Sequence, residues 1–426
     1  MKVTLVNHSD VRGGASIVAR RLMKALREQG AEARMVVARK ESDDIDVAEA
    51  APRWRLKASF LAECGEIFAL NGFNRRDLFK VSTASFGVDV AHHPWVQQAD
   101  VVILNWINQG MMSLRGIRRL CADKPVVWTM HDMWNATGIC HHAAQCQRWM
   151  TGDECGKCPL LGAHCDNDLS RHVFRAKQRL YADTNIHFVA VSTWLAQKCR
   201  ESALMSQANL SVIPNAFPVE LFHPSPMRSD LALRHMPLTQ RDTPDALRDL
   251  VNIDGKFIVF GAARLDDPIK NLPLAIETIN RVTSPDAVAV FYGDIRDAQL
   301  LRDLRKPYIH LGNIPSTVLP ELMSRASVVL STSRYETLPG TIIEGMGAGA
   351  TPVTTGHGGQ RDIIDHAING YIADQDDPDI LAAYIDRALL EPFEPIAQHL
   401  SVLHKFSAPA VARRYLDLIN SLVQQA

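Results

Sequence analysis

Two glutamates, Glu336 and Glu344, stand with seven residues between them in the stretch "SRYETLPGTIIEGMGAGATPVTT". The first closes a strand-like run, "ASVVLSTSRYE". The second lies one to two turns into a helix-like run, "PGTIIEGMGAG". Ligands of open α/β sheets sit at the carboxyl ends of strands. The helix start marked by Leu338, Pro339, Gly340 and Thr341 offers unpaired backbone amides, an anion and hydroxyl site. Glu336 could accept hydrogen bonds from a polyol there, and Glu344 could reach another hydroxyl, such as that of a ribose. The competing reading makes Glu336 an acid favoured by the helix dipole and Glu344 a solvated helix residue.

Other residues bear on that choice. "GAARLDDPIKN" puts Arg264 and Lys270 after another strand. Together they suit a diphosphate, the arginine as a bidentate fork and the lysine as a point charge; taken alone, they read first as surface charge. "RGGAS" sets Gly13 and Gly14 just before a helix, where glycine lets amides approach a phosphate closely, although any tight βα turn also favours glycine. "TMHD" places His131 and Asp132 at a further strand end. His131 could orient a substrate or bond a sugar hydroxyl, or be structural.

The elements that must position these residues are βα units. "KVTLVN", "EARMVVAR", "DVVILNW", "PVVWTMHD" and "IHFVAVST" are apolar strands, and "ASIVARRLMKALREQG" is a helix closed by Gly30. A second βα series starts at "KFIVFGAARL" and runs through "AVAVFYGD", "ASVVLSTSRYE" and "TPVTT". The chain has 426 residues, which suits two domains. The expected organisation is an N-terminal domain over 1–215, a linker over 216–255, a C-terminal domain over 256–405 and a final helix over 406–426. Both domains are predicted as Rossmann-like doubly wound parallel sheets facing a cleft. A net charge of −1 gives no global case for nucleic acid. With no long apolar run and no leader-like start, a cytoplasmic protein is expected, in peripheral contact with the inner membrane surface at most.

Taken together, the Gly-Gly pair, "HD", "VSTWL…VIPNAF", Arg264 with Lys270, Glu-x7-Glu, "GHGGQRDII" and "NGYIAD" resemble the retaining GT-B-fold glycosyltransferases of family 4 over nearly the whole chain. The "HDMWNATGICHH…CGKCP" segment resembles a subgroup that builds bacterial capsule, exopolysaccharide or O-antigen chains. The resemblance implies a UDP- or GDP-linked sugar donor. Its diphosphate would meet Arg264, Lys270 and the amides at Gly13 and Gly14. Glu336 would hold the donor sugar, Glu344 the ribose, and His131 would sit beside the anomeric carbon. The acceptor would be a glycan or lipid-linked glycan, and the final helix would return to the first domain. The family often carries Phe-Gly where this chain has Leu338 and Pro339, which bears on the shape of the sugar pocket. Asp132 is the only alternative candidate for a nucleophile beneath the sugar, so front-face attack is expected, with no catalytic metal. A phosphorylase, an epimerase and a sugar- or nucleotide-binding scaffold without turnover are the alternatives on this fold.

Two further segments stand apart. Cys140, Cys146, Cys155 and Cys158, with His141, His142, His164 and Cys165 nearby, admit a structural zinc, two disulfides or free thiols. Residues 53–80 mix Arg53, Arg55, Lys57, Arg75, Arg76 and Lys80 with Trp54, Phe60, Phe68 and Phe73. They suit either a membrane-surface contact or a helix pair with aromatics inward and charges outward.

Overall fold

The computed structural model describes residues 1–74, 80–150, 152–162, 165–224 and 255–425. Arg75, Arg76, His164 and most of the expected linker fall outside them. The chain divides into two units, Met1–Ala216 with Ala408–Ala426, and Phe217–Ser407.

The first unit runs β1 (Lys2–Ser9), α1 (Gly14–Glu28), β2 (Glu32–Arg39), β3 (Val47–Glu49), α2 (Arg53–Leu70), α3 (Pro94–Gln98), β4 (Val101–Leu104), α4 (Leu114–Asp123), β5 (Val126–Met130), α5 (Leu169–Ala182), β6 (His187–Ala190), α6 (Thr193–Glu201) and β7 (Leu210–Val212). All strands pair in parallel, in the order β3-β2-β1-β4-β5-β6-β7. Val101–Leu104 and Val126–Met130 are buried throughout. That is why they read as unbroken apolar runs rather than as alternation.

The second unit runs β8 (Lys256–Arg264), α7 (Leu272–Arg281), β9 (Ala287–Asp294), β10 (Tyr308–His310), α8 (Leu319–Met323), β11 (Ala326–Ser331), α9 (Gly340–Gly347), β12 (Thr351–Thr355), β13 (Tyr371–Ala373), α10 (Pro378–Leu390) and α11 (Pro395–Phe406). Its sheet is also parallel, in the order β10-β9-β8-β11-β12-β13.

Each sheet reverses its winding once, between β1 and β4 in the first unit and between β8 and β11 in the second. At such a reversal the two following loops diverge and leave a crevice at the strands' carboxyl ends. Gly13 and Gly14 follow β1, and Asn105 and Trp106 follow β4. Lys270 follows β8, and Glu336 follows β11. The chemistry-bearing residues therefore bracket both switch points.

The last helix, α12 (Ala408–Gln425), belongs to the first unit. Its Val411, Ala412, Tyr415 and Ile419 enter one core with Ala19, Leu22, Met23 and Leu26 of α1. The Tyr415 hydroxyl meets Thr129 Oγ1 of β5 at 2.9 Å, fully buried. Each large apolar side chain buried this way contributes about 1.5–3 kcal/mol.

Candidate active site

Helix starts divide into two kinds. Ser113, Asp168 and Ser192 cap α4, α5 and α6, each accepting a backbone N–H. By contrast α1 and α9 begin after Gly13 and Pro339 with no side-chain cap and no acid in the first turn. Their first amides are left for an external acceptor. Gly13 holds φ at +88°, a left-handed conformation that favours glycine. Pro339 has no N–H, so the donors at α9 come from its neighbours.

In the second unit, Lys270 and Glu336 form an ion pair through Nζ and Oε1. Backbone stitching brings them together. The Arg334 N–H donates to the Ile269 carbonyl at 2.8 Å, and Thr332 Oγ1 donates to the Lys270 carbonyl at 3.0 Å. Ser333 Oγ donates to Glu336 Oε1 at 3.1 Å. The Glu336 backbone is itself clamped. Its N–H donates to the His357 carbonyl at 3.0 Å, and its carbonyl accepts from Gly359 N–H at 2.9 Å. Gly358, at φ +146°, lies so close that a Cβ would overlap the Glu336 carbonyl. Gly358→Ala is therefore expected to displace Glu336 and cut turnover by about tenfold or more, since misplacing a positioning group by an ångström is that costly. A thermal melt alongside the rate assay separates displacement from unfolding.

Arg264 ends β8 and faces Asp266 at 3.4 Å and Asp267 at 3.7 Å. Glu344 is half-buried on α9. Beside it stands Tyr292, which sequence reasoning passed over. Burial, and then the Glu344 charge, push its phenol up, while a hydrogen bond with Thr341 opposes them. The Tyr292 ring fills the space that Gly261 leaves by lacking a Cβ. Leu338 and Pro339 are both buried.

In the first unit, Gly13, Gly14, His131 and Asp132 line one pocket of about 530 Å³, together with His8 and Trp106. His131 Nε2 meets Asn105 Oδ1 at 3.1 Å. Burial lowers the His131 imidazole to about 4, with the Asp132 charge opposing this. A neutral ring that donates from Nε2 to an amide oxygen keeps its Nδ1 lone pair. Activity that depends on neutral His131 should thus be level from about pH 5.5 to 8 and fall toward about 4, with no inflection at the ordinary 6.5. A pH profile of kcat/KM, compared with His131→Ala, checks this.

Asp132 is fully engaged. Oδ1 accepts the Trp134 N–H at 2.8 Å, and Oδ2 accepts Trp106 Nε1–H at 3.2 Å and His141 Nδ1–H at 2.7 Å. Burial pushes its carboxyl up, but His141 and the other donors outweigh this and hold it at about 2. The "VNHSD" and "VILNW" strand ends carried His8, Asn105 and Trp106, and their position at the end of β1 and just after β4 was the available signal.

Cys140, Cys146, Cys155 and Cys158 line a separate pocket of about 680 Å³. All eight cysteines are free, which sets the disulfide reading aside. Burial pushes the Cys155 and Cys158 thiols up to about 12. Among the described residues, no three His, Cys, Asp or Glu side chains are grouped as they would be around a metal ion. Lys177 lies buried beside this loop. Its Nζ donates to the Trp134 and Thr137 carbonyls at 2.5 and 3.0 Å and sits 3.3 Å from the centre of the Trp134 ring.

In its described part, the 53–80 stretch turns some aromatics outward, while Phe60 and Phe68 are half-buried. On α2 the buried residues are Leu56, Glu63 and Ile67, while Trp54 is 67% exposed and Phe73, beyond the helix, is 73% exposed. Glu63 takes an inward place because its carboxylate caps the next segment, accepting the Thr83 and Ala84 N–H groups at 2.7 and 3.1 Å. Among the described residues, no helix is long and apolar enough to cross a membrane.

Comparison with known proteins follows the two units. Residues 13–216 match the model of the glycosyl transferase 4-like domain, and residues 243–401 match that of glycosyl transferases group 1. YtcC of Bacillus subtilis (strain 168), described as a glycosyltransferase, is 32% identical over 160 residues, 34% of this chain and 39% of that protein. WcaC of Escherichia coli (strain K12), described as a colanic acid biosynthesis glycosyl transferase, is 29% identical over 119 residues, 26% of each. The chain thus spans well under half the length of these relatives. The crystal structure of Anabaena Alr3699/HepE in complex with UDP-glucose superposes with a TM-score of 0.61 at 16% identity, covering 99% of this chain and 100% of that one, and shows the shared fold. With one family model on each parallel-sheet unit, the chain belongs to the group 1, family 4 glycosyltransferases of the GT-B fold.

Proposed function

We propose that the chain moves a sugar from a nucleoside-diphosphate sugar to a glycan or lipid-linked glycan, with retention at the anomeric carbon, in bacterial surface-polysaccharide synthesis. The Lys270–Glu336 pair at the second unit's switch point carries the reading. A cation and a carboxylate held together can meet a leaving phosphate and a sugar hydroxyl at adjacent positions. Arg264, Lys270 and the α9 amides would hold the diphosphate. Glu336 would hold the sugar, and Glu344, backed by Tyr292, the ribose. On the first unit, the Gly13–Gly14 amides offer a second anion cradle, and neutral His131 offers a hydroxyl or carbonyl partner. HepE binds UDP-glucose and WcaC is described as acting in colanic acid biosynthesis, which favours a UDP- or GDP-linked donor and a polysaccharide product.

Retention by double displacement would need a free carboxylate beneath the sugar. Asp132 spends both oxygens on Trp134, Trp106 and His141. That supports front-face attack, in which the leaving phosphate oxygen takes the acceptor's proton as the new glycosidic bond forms. Arg264 and Lys270 then neutralise the departing diphosphate without a catalytic metal. A thermal-shift panel of UDP, GDP and their sugars tests the donor site. A binder at a hundredfold excess over its Kd stabilises by about 2.7 kcal/mol. No shift with any of them would remove the donor assignment and favour a scaffold without turnover.

A structural zinc on Cys140, Cys146, Cys155 and Cys158 is a separate proposal. It requires the sulfurs on the pocket wall to draw together beside Lys177, whose amine burial pushes well below the usual lysine range while the cysteine charges oppose this. It predicts about one zinc per chain by elemental analysis and a lower melting point for Cys155→Ser. No zinc and an unchanged melt would mean free thiols.

A further inference from the structure

A second pocket of the first unit, about 610 Å³, adjoins the His131 pocket and shares His8, Arg39 and Gln109 with it. Four cations line it, Arg39, Lys40, Arg53 and Lys57, against two carboxylates, Glu41 and Glu49. The pairing leaves positive charge over. Glu41 is shared between Arg39 at 2.9 Å and Arg12 at 2.8 Å. Arg53 pairs with Glu49 at 2.7 Å. Among the described residues, Lys40 donates to a backbone carbonyl, that of Asp44, at 2.8 Å and makes no ion pair. Lys57 is exposed and makes no ion pair among the described residues. Arg53 and Lys57 stand one turn apart at the start of α2, which begins after Pro52 with no side-chain cap and no acid in its first turn. Surplus cations around one concavity, beside the positive end of a helix, are the chemistry that seats a phosphate.

Resting on the glycosyltransfer reading above, we propose that this pocket is an acceptor subsite for a phosphate-class anion. The acceptor would carry a phosphate or diphosphate, held by Lys57, Arg53, Lys40 and Arg39. Its reacting hydroxyl would be presented along the shared wall of His8 and Gln109 toward His131. The donor's diphosphate is provided for elsewhere, by Arg264 and Lys270 on the second unit. The phosphate could be borne by a lipid or by a water-soluble glycan. Trp54 and Leu61 of α2, 67% and 55% exposed, lie on the same helix as Arg53 and Lys57 and would meet a bilayer in the first case.

The test titrates the UDP-saturated chain with inorganic pyrophosphate by calorimetry, so that the donor site is filled. Wild type should bind pyrophosphate. Arg53→Glu with Lys57→Glu should bind it at least about tenfold more weakly while keeping UDP affinity and melting point, since both side chains are exposed. Arg118→Glu, outside the lining, should bind it like wild type. Equal affinity in the double variant, or no pyrophosphate binding to a chain that binds UDP, would overturn the subsite. If UDP itself does not bind, the donor assignment fails instead, and pyrophosphate titration of the free chain against the double variant still decides the pocket. Co-sedimentation with phosphatidylglycerol vesicles separates the sources. Pelleting that the double variant abolishes means a lipid-borne phosphate. Pyrophosphate binding without pelleting means a soluble phosphorylated acceptor.

Discussion

Lys270→Ala and Glu336→Ala should each lower the rate of donor turnover by about 100- to 1000-fold, with the double variant little worse than either. The size follows from removing one preorganised charge or hydrogen-bonding group from the place where transition-state charge develops. The failure of additivity follows from the ion pair, because each residue is held partly by the other. Glu336→Gln sharpens the test. It keeps hydrogen-bonding capacity toward a sugar hydroxyl but gives Lys270 no counter-charge, so it should fall between wild type and Glu336→Ala. UDP affinity by calorimetry and kcat by product release divide the effect. Lys270→Ala should weaken UDP binding, while Glu336→Ala should leave UDP binding nearly intact and lower kcat. Strict additivity of the two losses would mean that the residues act at separate sites.

Tyr415→Ala should destabilise the first unit by about 3–5 kcal/mol, the cost of truncating a large buried ring. Tyr415 is 2% exposed, shares a core with α1, and bonds Thr129 of β5 through its hydroxyl. The ring therefore joins the chain's last helix to its first helix and to the strand that precedes His131. Tyr415→Phe isolates the hydroxyl and should cost about 1 kcal/mol. Urea unfolding followed by Trp128 and Trp134 fluorescence would report the change, because both indoles are buried in the same unit. A loss below about 1 kcal/mol for Tyr415→Ala would mean that α12 does not support this sheet.

The parallel sheets were legible because strands buried on both faces read as plain apolar runs, as Val101–Leu104 and Val126–Met130 do. The placing of Glu336 and His131 at strand ends followed from the same reading. What the sequence kept hidden depended on contacts between distant segments. Lys270 and Glu336 are 66 residues apart and meet only because β8 and β11 are neighbours across the switch point. Tyr292 reaches Thr341 because Gly261 on the adjacent strand makes room. Glu63, an acid on α2, is buried because two amides of a later segment need an acceptor. The outward Trp54 is the converse: an apolar residue whose place is set by which narrow stripe of α2 the sheet covers.

The measurement that tests the central claim most directly is proton NMR of the purified chain with α-linked UDP- and GDP-sugars, following the anomeric signal of the sugar first released to water or acceptor. The account predicts release from at least one donor, appearing as the α-anomer before mutarotation and abolished in Glu336→Ala. First appearance of the β-anomer would contradict retention. No release from any donor that binds would contradict catalysis by the Lys270–Glu336 site.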